Sequence, residues 1–358
     1  MIRCTHCILP GNYPGATFNT GGLCSFCSEY EQRKYLGVEA LKKDIDDFLK
    51  SKKDRNKDFD CVLGFSGGRD SSYLLYYLTK VLNLRAVAYS ADHGFIPEYP
   101  EVIMKRVTDK LNVKLVIEKH DLLEKCVKHT VSSWMRKPSV SMIETLCTGC
   151  RVGANKNTVL YAKKNNIPLV FWGITPFEYP DYKYRLMKGG KSSYLMGYLS
   201  HIVKNPRWIT SPSYLNVQAG EYLYLFHEKR MLKKSGILKI RPFMTYIRWV
   251  EKDIISTIEK EAGWEKNPDA GSTWRGDCYL AFVKLHMYKE IFGFNDKTMC
   301  LSNLIRDDQI TRQEALDRLN EEEEIPDVAI KEFFEKIGVN YSDFEIALDK
   351  VAKQTKSQ

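Results

Sequence analysis

Short apolar segments alternate with amphipathic segments through the first half of the chain. Four apolar runs have the length of buried strands, and they occupy residues 59–65, 84–90, 113–118 and 169–172. Between them, apolar residues recur at helical spacing over residues 73–82, 98–112 and 151–165. Strands that are apolar throughout and alternate with helices indicate a parallel sheet with helices on both faces. The pattern therefore predicts an α/β fold for this part of the chain.

Both ends of the chain lack this alternation. The first residues are rich in Cys, Gly and Pro and predict a small loop-built module, which a connecting helix over residues 38–50 follows. From about Trp249 the pattern is helical, and two capping boxes mark helix starts, Thr311–Glu314 and Ser342–Glu345. We therefore divide the chain into a module at 1–35, an α/β domain at 36–245 and a helical region at 246–358.

Length and charge narrow the class of protein. With 358 residues the chain is too long for one small core. Its net charge of +9 favours anionic partners such as nucleotides, phosphorylated sugars or RNA, although a lysine-rich soluble surface has the same signature. No apolar run is long enough to span a bilayer, and the N-terminus lacks a secretory core. We therefore expect no membrane association and a cytoplasmic location, where thiols stay reduced.

Four N-terminal cysteines have the spacing of metal ligands. Cys4-x-x-Cys7 and Cys24-x-x-Cys27 are separated by 16 residues, which fits two knuckles that converge on one tetrahedral Zn²⁺. Four thiolates leave no open coordination position, so the spacing indicates a structural zinc ribbon. In a module with almost no apolar core, the metal would supply much of the folding free energy.

A glycine-rich loop, Ser66–Ser71, lies between the first predicted strand and an amphipathic helix. In this position backbone N–H groups and a helix N-terminus hold an anion, and Gly67 and Gly68 let phosphates approach closely. The serine hydroxyls, including Ser72, can donate hydrogen bonds, and Arg69 adds a cation. The loop lacks the Gly-Lys-Ser/Thr ending of a Walker motif. Glycine-rich strand-to-helix turns also occur in α/β folds without a ligand.

The loop resembles the S-G-G-x-D-S signature of the PP-loop ATP pyrophosphatases, which have an adenine nucleotide alpha hydrolase-like fold. Three further segments resemble that superfamily, and in the same order: Ala91-Asp92-His93-Gly94, Phe171-Trp172-Gly173 and Ile240-Arg241-Pro242-Phe243. The resemblance implies that ATP, with Mg²⁺, is cleaved between its α and β phosphates. AMP is then transferred to a substrate oxygen.

The resemblance also implies the residues of a site. The implied catalytic residues are Ser66, Arg69 and Asp70. The implied nucleotide-binding residues are Ser66, Gly67, Gly68, Asp70, Ser71, Ser72, Ser90, Asp92 and Gly173. Because ligands of parallel α/β sheets bind beyond the carboxyl ends of the strands, we expect these residues to meet at one edge.

A second cysteine pair, Cys147-Thr148-Gly149-Cys150, resembles in its location the C-x-x-C of PP-loop tRNA thiolation enzymes. In those enzymes the pair and a distant third cysteine hold a [4Fe–4S] cluster, and Cys278 is the natural third here. Three thiolate ligands would leave one iron open to a small nucleophile. A redox pair, a second zinc site and an unliganded helix start remain as alternatives.

The whole chain resembles the N-acetyl sugar amidotransferase family of lipopolysaccharide and other surface-polysaccharide biosynthesis. The matching segments are Cys4-Thr5-His6-Cys7-Ile8-Leu9-Pro10, Phe18-Asn19, Gly22-Leu23-Cys24, Leu301–Ile305 and Thr311–Leu316. The similarity covers about residues 1–320. Arg69 stands where Lys is commoner in the loop. Trp274–Cys278 departs from the usual family segment, so the resemblance does not identify the substrate.

The family resemblance implies a reaction and partners. ATP would adenylylate the acetamido oxygen of a nucleotide-activated N-acetyl sugar, and ammonia would displace AMP to give an acetamidino group. A separate glutaminase subunit with a cyclase-like partner would supply the ammonia. No cysteine of this chain lies in a nucleophile-elbow context with a His and Glu partner. A homodimer is left open.

Two other functions compete with this interpretation. An iron–sulfur PP-loop sulfurtransferase that thiolates tRNA or a small molecule is favoured by Cys147, Cys150 and Cys278 and by the basic charge. Nucleic acid is a partner under that alternative. A zinc-ribbon nucleic-acid-binding protein with a degenerate nucleotide domain is disfavoured, because the loop retains all its signature residues.

Overall fold

The computed structural model describes residues 2–52, 54–178, 181–188, 194–210, 220–268, 271–274, 276–322 and 325–356. Its sheet is made of β1 Cys61–Gly64, β2 Ala86–Asp92, β3 Lys114–Lys119, β4 Leu169–Trp172 and β5 Leu238–Ile240. The strand order is β3-β2-β1-β4-β5, and each neighbouring pair is parallel. The α/β class and the parallel sheet are therefore confirmed.

Helices surround this sheet and form the whole C-terminal region that is described. In chain order they are α1 Ser25–Ser28, α2 Val38–Lys50, α3 Arg69–Tyr76, α4 Glu98–Leu111, α5 Asp121–Arg136, α6 Thr148–Lys164, α7 Asp181–Lys188, α8 Tyr194–Lys204, α9 Gly220–Ser235, α10 Pro242–Thr245, α11 Glu251–Ala262, α12 Tyr279–Phe292, α13 Asp296–Arg306, α14 Arg312–Glu322, α15 Asp327–Ile337 and α16 Tyr341–Lys356. A π-helical stretch, Tyr77–Val81, continues α3, and 3₁₀ segments lie at Val140–Cys147, Pro176–Glu178 and Pro206–Ile209.

Both faces of the central strands are buried. On β1, Cys61 and Leu63 point into the large core, while Val62 packs in a second core with Val87 and Val170. This two-sided burial is the reason that β1 and β4 are apolar at every position.

The edge strand β3 does not follow that pattern. Lys114, Glu118 and Lys119 are exposed, so the expectation that every strand is apolar throughout is wrong here. β3 pairs with β2 and lies at the edge of the sheet among the described strands. Charged side chains on such an edge discourage pairing with another chain.

Helix boundaries differ from the expected ones at functional positions. α3 begins at Arg69 and not at Tyr73, because the polar residues of the loop already form its first turn. No element was expected at α5, although Leu123, Val127, Val131 and Trp134 bury one of its faces at helical spacing.

The two expected capping boxes have different outcomes. At α14, Thr311 N–H donates to Glu314 Oε2 at 2.9 Å, and Glu314 N–H donates to Thr311 Oγ1 at 3.1 Å, so this box is confirmed. At α16, the N–H of Asp343 donates to Asn340 Oδ1 at 3.2 Å. Asn340 therefore caps α16, and the box expected at Ser342 is wrong.

The helical region packs back onto the sheet domain. α11 lies against α3, and α12 packs against α15 and α16. None of the described helices combines the length and the apolar content that a membrane span requires. The contact between α11 and α3 brings residues from beyond the sheet next to the glycine-rich loop.

Candidate active site

The glycine-rich loop is held in one conformation by its own serines. Ser71 Oγ donates to the carbonyl of Gly68 at 3.1 Å, and Gly68 N–H donates to Ser66 Oγ at 3.3 Å. Gly67 has φ +74°, and a Cβ on it would lie 2.6 Å from the carbonyl oxygen of Pro100. Only glycine fits there without a backbone shift. The loop thus leads into the N-terminus of α3, where unpaired N–H groups attract anions.

A cavity of about 280 Å³ opens above this loop at the carboxyl edge of the sheet. The predicted site residues that line it are Ser66, Gly67, Gly68, Arg69, Asp70, Ser71, Ser90 and Gly173. Gly173 packs closely against the loop, because a Cβ on it would lie 3.0 Å from the carbonyl oxygen of Asp70. The expected convergence at one edge is therefore what the structure shows for these residues.

Two predicted nucleotide-binding residues lie outside this lining. Ser72 is fully buried, and its Oγ has no hydrogen-bond partner among the described residues. The Asp92 carboxylate accepts a hydrogen bond of 2.7 Å from the N–H of Gly94, so it shapes the turn after β2. The neighbouring His93 lines the cavity instead.

The loop carboxylate, Asp70, accepts hydrogen bonds from two partners. Its Oδ1 accepts from Arg69 Nε and from Trp249 Nε1, each at 2.9 Å. Arg69 Nη2 lies 3.4 Å from Oδ2. The Asp70 carboxylate is therefore neutralised and oriented by its sequence neighbour and by an indole from the start of the helical region.

Arg69 is enclosed on all sides, with 2% of its surface exposed. Its Nη1 donates to Glu251 at 2.7 Å and to Thr273 at 2.9 Å. The guanidinium carbon lies 4.6 Å from a ring centroid of Trp249 and 4.1 Å from one of Trp274. Arg69 was expected to supply a cation for phosphate. Its guanidinium instead contacts Glu251, Thr273, Trp249 and Trp274, which form a cage around it.

The cage also explains the charge state of Arg69. Burial alone would lower the pKa of the guanidinium, but the carboxylates of Asp70 and Glu251 raise it above its usual value. Glu251 is shared, because Arg318 on α14 donates to it at 2.7 Å. A buried network of charges therefore joins the loop to the C-terminal helices.

Sequence reasoning missed most of the residues that the helical region contributes. Trp264 Nε1 donates to the carbonyl of Gly67 at 3.1 Å, and Asp277 lines the cavity opposite the loop. A segment with a tryptophan, an arginine and an aspartate within four residues is unusual for a surface loop. That composition at Trp274–Asp277 was the one available signal.

His93 is a neutral imidazole at the wall of the cavity. Burial lowers its pKa, despite the nearby carboxylates of Asp92 and Asp277. Its Nδ1 accepts a hydrogen bond of 3.2 Å from the N–H of Phe95. The remaining proton therefore resides on Nε2, which makes His93 a hydrogen-bond donor.

The cysteine pair and Cys278 lie in the same part of the molecule. Cys278 lines the cavity just before α12, and burial together with the charges of Cys278 and Cys147 raises the pKa of Cys150. Lys284 Nζ donates to Cys147 Sγ at 3.1 Å. Across the described ranges, these three sulfurs do not form a compact ligand group of the kind seen at the N-terminus. The cluster stays a prediction.

The N-terminal cysteines form a metal-binding group. The sulfur atoms of Cys4, Cys7, Cys24 and Cys27 all lie within 4.8 Å of one another. Hydrogen bonds from the thiols of Cys24 and Cys7, together with the nearby charge of Arg306, lower the pKa of Cys27 to about 3. Four sulfurs at this separation fit one tetrahedral ion.

Arg306 ties this group to the C-terminal helices. Its Nη1 lies 3.4 Å from Cys7 Sγ and 3.8 Å from Cys27 Sγ. Arg312 donates to the carbonyl oxygens of Cys7 and Cys4. Cationic donors around thiolates of a metal site orient the ligands and offset their negative charge.

The C-terminal region of the chain is similar to a known family of proteins. The chain is similar over 89% of its length to 89% of the U34-tRNA thiolase NcsA from Methanococcus maripaludis with its [4Fe-4S] cluster, at 14% identity and a TM-score of 0.35. That TM-score carries no functional implication. No curated protein matches the chain. Residues 277–357 match the family model described as LPS biosynthesis protein WbpG-like, C-terminal domain, which supports the resemblance to the PP-loop N-acetyl sugar amidotransferases. This match extends over the helices α12 to α16.

Proposed function

We propose that this protein is an ATP-dependent amidotransferase that converts the acetamido group of a nucleotide-activated N-acetyl sugar to an acetamidino group. The observation that supports it most is the combination of two features in one cavity. An anion-binding loop forms one wall, and the segment that opens the WbpG-like domain, with Asp277, forms the opposite wall.

The reaction has two steps. An amide carbonyl is a poor electrophile, so the amide oxygen first attacks the α-phosphorus of ATP. The bond between the α-phosphorus and the bridging oxygen breaks, and pyrophosphate leaves. Ammonia then adds to the imidate carbon, the carbon–oxygen bond breaks, and AMP departs with the former amide oxygen. Loss of a proton from nitrogen completes the amidine.

The loop has the chemistry to stabilise the first step. The N–H groups at the start of α3 and the hydroxyls of Ser66 and Ser71 would bind the departing pyrophosphate, where negative charge increases. His93 would donate its Nε2 proton in a hydrogen bond to a ligand oxygen. The indole N–H of Trp172, which also lines the cavity, is buried and has no acceptor among the described residues. A bound ligand could supply one.

Metal ions fit two places in the molecule. The carboxylates Asp70, Glu178 and Asp277 line the cavity, and carboxylate oxygens with phosphate are the ligands that Mg²⁺ prefers. When bound, Mg²⁺ would neutralise charge that builds up on the phosphates. The four N-terminal thiolates fit Zn²⁺ in a structural role. A [4Fe–4S] cluster is not needed for ammonia chemistry.

The source of ammonia is a further part of the proposal. We expect a separate glutaminase subunit with a cyclase-like partner to deliver ammonia. At neutral pH most ammonia in solution is protonated to ammonium, which is not a nucleophile. Ammonium salts at high concentration would replace the partner in a test with the isolated chain.

The proposal is tested with purified protein, ATP, ammonium and a panel of nucleotide-linked N-acetyl sugars. The expected products are AMP, pyrophosphate and a sugar in which NH replaces oxygen, measured by mass spectrometry. A substrate labelled with heavy oxygen in the acetamido group should transfer that label to AMP. Release of ADP and phosphate, or unlabelled AMP, would exclude this mechanism. Ser66→Ala should reduce product formation without unfolding the protein.

A sulfurtransferase remains the second candidate, since Cys278 lines the same cavity and lies near Cys150. Anaerobic preparation with iron and sulfide is the discriminating experiment. A sulfurtransferase would show a broad visible absorption that disappears in Cys147→Ala, and it would thiolate tRNA or a small acceptor. An amidotransferase would accept ammonium equally well with and without iron.

A further inference from the structure

We propose that Asp277 is a ligand of the divalent cation that accompanies ATP in this cavity. The inference rests on the proposed function, because it assumes that the loop binds a polyphosphate. It assigns a metal ligand to the segment between the sheet domain and α12, outside the loop signature. Three observations carry it: the position of Asp277, the charges of the cavity wall and the state of Asp70.

Asp277 faces the phosphate loop directly. Its Oδ2 lies 3.7 Å from the point that a Cβ on Gly68 would occupy. The side chain is partly buried and lines the cavity. Within the ranges that the structure describes, no group donates a hydrogen bond to this carboxylate. Its oxygens are therefore available at the place where phosphate oxygens would lie.

Among the described residues that line the cavity, no basic side chain is left without a partner. Of the described lining residues, Arg69 and His93 are the basic ones. Arg69 is enclosed by the carboxylates of Asp70 and Glu251, and Nδ1 of His93 already accepts a hydrogen bond from the N–H of Phe95. A polyphosphate beside Asp277 would therefore meet negative charge at short range, where Coulomb repulsion is strong in a partly buried site. A divalent cation between them converts that repulsion into attraction.

Asp70 is less suited to the metal. Its Oδ1 already accepts two hydrogen bonds of 2.9 Å, from Arg69 and Trp249, and Arg69 neutralises its charge. Mg²⁺ is typically held by one or two carboxylates together with substrate phosphates. Asp277 can fill that role with free lone pairs on both oxygens, while Asp70 supports the shape of the loop.

The test measures metal binding and not turnover. Mn²⁺ replaces Mg²⁺, α,β-methylene-ATP replaces ATP, and free Mn²⁺ is followed by electron paramagnetic resonance. We expect Asp277→Asn to weaken Mn²⁺ binding in the ternary complex by about tenfold or more. The matched control is Glu265→Gln, at another acid of the cavity wall, which pairs with Arg106 at 2.7 Å, and it should bind Mn²⁺ as the unsubstituted protein does.

The outcomes separate the inference from the proposed function. Failure of the unsubstituted protein to bind α,β-methylene-ATP with Mn²⁺ would contradict the proposed function itself. Normal ternary binding by Asp277→Asn would overturn the Asp277 assignment alone, and a loss confined to Asp70→Asn would assign the ligand to the loop. Equal thermal unfolding midpoints of the variants without metal show that a loss of binding is not a loss of fold.

Discussion

The indole of Trp249 donates a 2.9 Å hydrogen bond to the carboxylate of Asp70, across 179 residues of chain. Trp249 is fully buried and stands immediately before α11, which packs on α3. The orientation of the loop carboxylate therefore depends on a residue outside the sheet. This relationship joins the two parts of the molecule at the site.

Replacing Trp249 by Phe tests that hydrogen bond. The substitution keeps most of the ring packing and removes the N–H, so Asp70 loses one of its two donors. A hydrogen bond to a charged group contributes about 1.5–3 kcal/mol. We expect kcat for AMP release to fall by roughly ten- to a hundredfold, a range that corresponds to this energy.

The matched control for Trp249→Phe is Trp134→Phe. Trp134 is also fully buried, and its indole donates to the carbonyl of Ser139 at 2.9 Å, in α5 and away from the cavity. It should lose comparable stability and retain kcat. Equal kcat values for the two variants would show that Trp249 is needed only for packing.

Arg69 is expected to act as a positioning residue, and two substitutions separate its charge from its geometry. Arg69→Met leaves the buried Glu251 and the partly buried Asp70 with one cation fewer, which should cost about 3–5 kcal/mol in the free energy of unfolding. Arg69→Lys keeps the charge but cannot donate in several directions at once. It should retain more stability than Arg69→Met and still lose activity. Urea unfolding and AMP release measure the two effects.

Arg318 gives the comparison for that experiment. It pairs with Glu251 as Arg69 does, but its side chain is 26% exposed. Arg318→Gln should therefore destabilise the protein less than Arg69→Met. A larger loss in Arg318→Gln would mean that the buried network is organised around α14 and not around the loop.

The N-terminal metal should stabilise the C-terminal helices as well as its own module. Cys24→Ser should abolish stoichiometric zinc and lower the thermal midpoint, because Arg306 and Arg312 contact the module. Arg306→Leu should weaken zinc binding by about tenfold. Metal analysis and calorimetry measure both. Cys61→Ala, at a cysteine outside the group, should keep full zinc content. Full zinc content in Cys24→Ser would contradict the ligand set.

The depressed pKa of Asp60 predicts that the free energy of unfolding decreases in acid. Burial alone would raise the pKa of Asp60, but hydrogen bonds from Arg85 and Arg55 lower it to about 2 from 3.8. Because the pKa of Asp60 is lower in the folded protein, its ionised carboxylate stabilises the fold at pH values above the pKa of the unfolded state. This contribution is lost as pH falls from about 4 to about 2. The contribution is about 2 kcal/mol, from the energy per pKa unit.

Urea unfolding at a series of pH values measures this effect. Asp60→Asn should be less stable at neutral pH and show a flatter decline between about pH 4 and pH 2. If the stability of Asp60→Asn falls in acid as steeply as that of the unsubstituted protein, other carboxylates cause the decline.

Local patterns in the sequence determined the sheet domain and the metal-binding group. Apolar runs located the central strands, because both faces of β1 and β4 are buried and every position must be apolar. The spacing of Cys4, Cys7, Cys24 and Cys27 indicated a ligand set, since short metal-binding knuckles are encoded locally. The loop at Ser66–Ser71 was visible for the same reason: its conformation depends on glycines and on the adjacent helix start.

Only the tertiary structure decided what surrounds the loop. The partners of Arg69 and Asp70 are Trp249, Glu251 and Thr273, which lie about 180 to 200 residues further along the chain. No local periodicity records such pairings, because they arise when α11 packs against α3. The expected role of Arg69 followed from its charge alone. Its actual surroundings follow from burial, which requires a charged group to find carboxylates and aromatic faces.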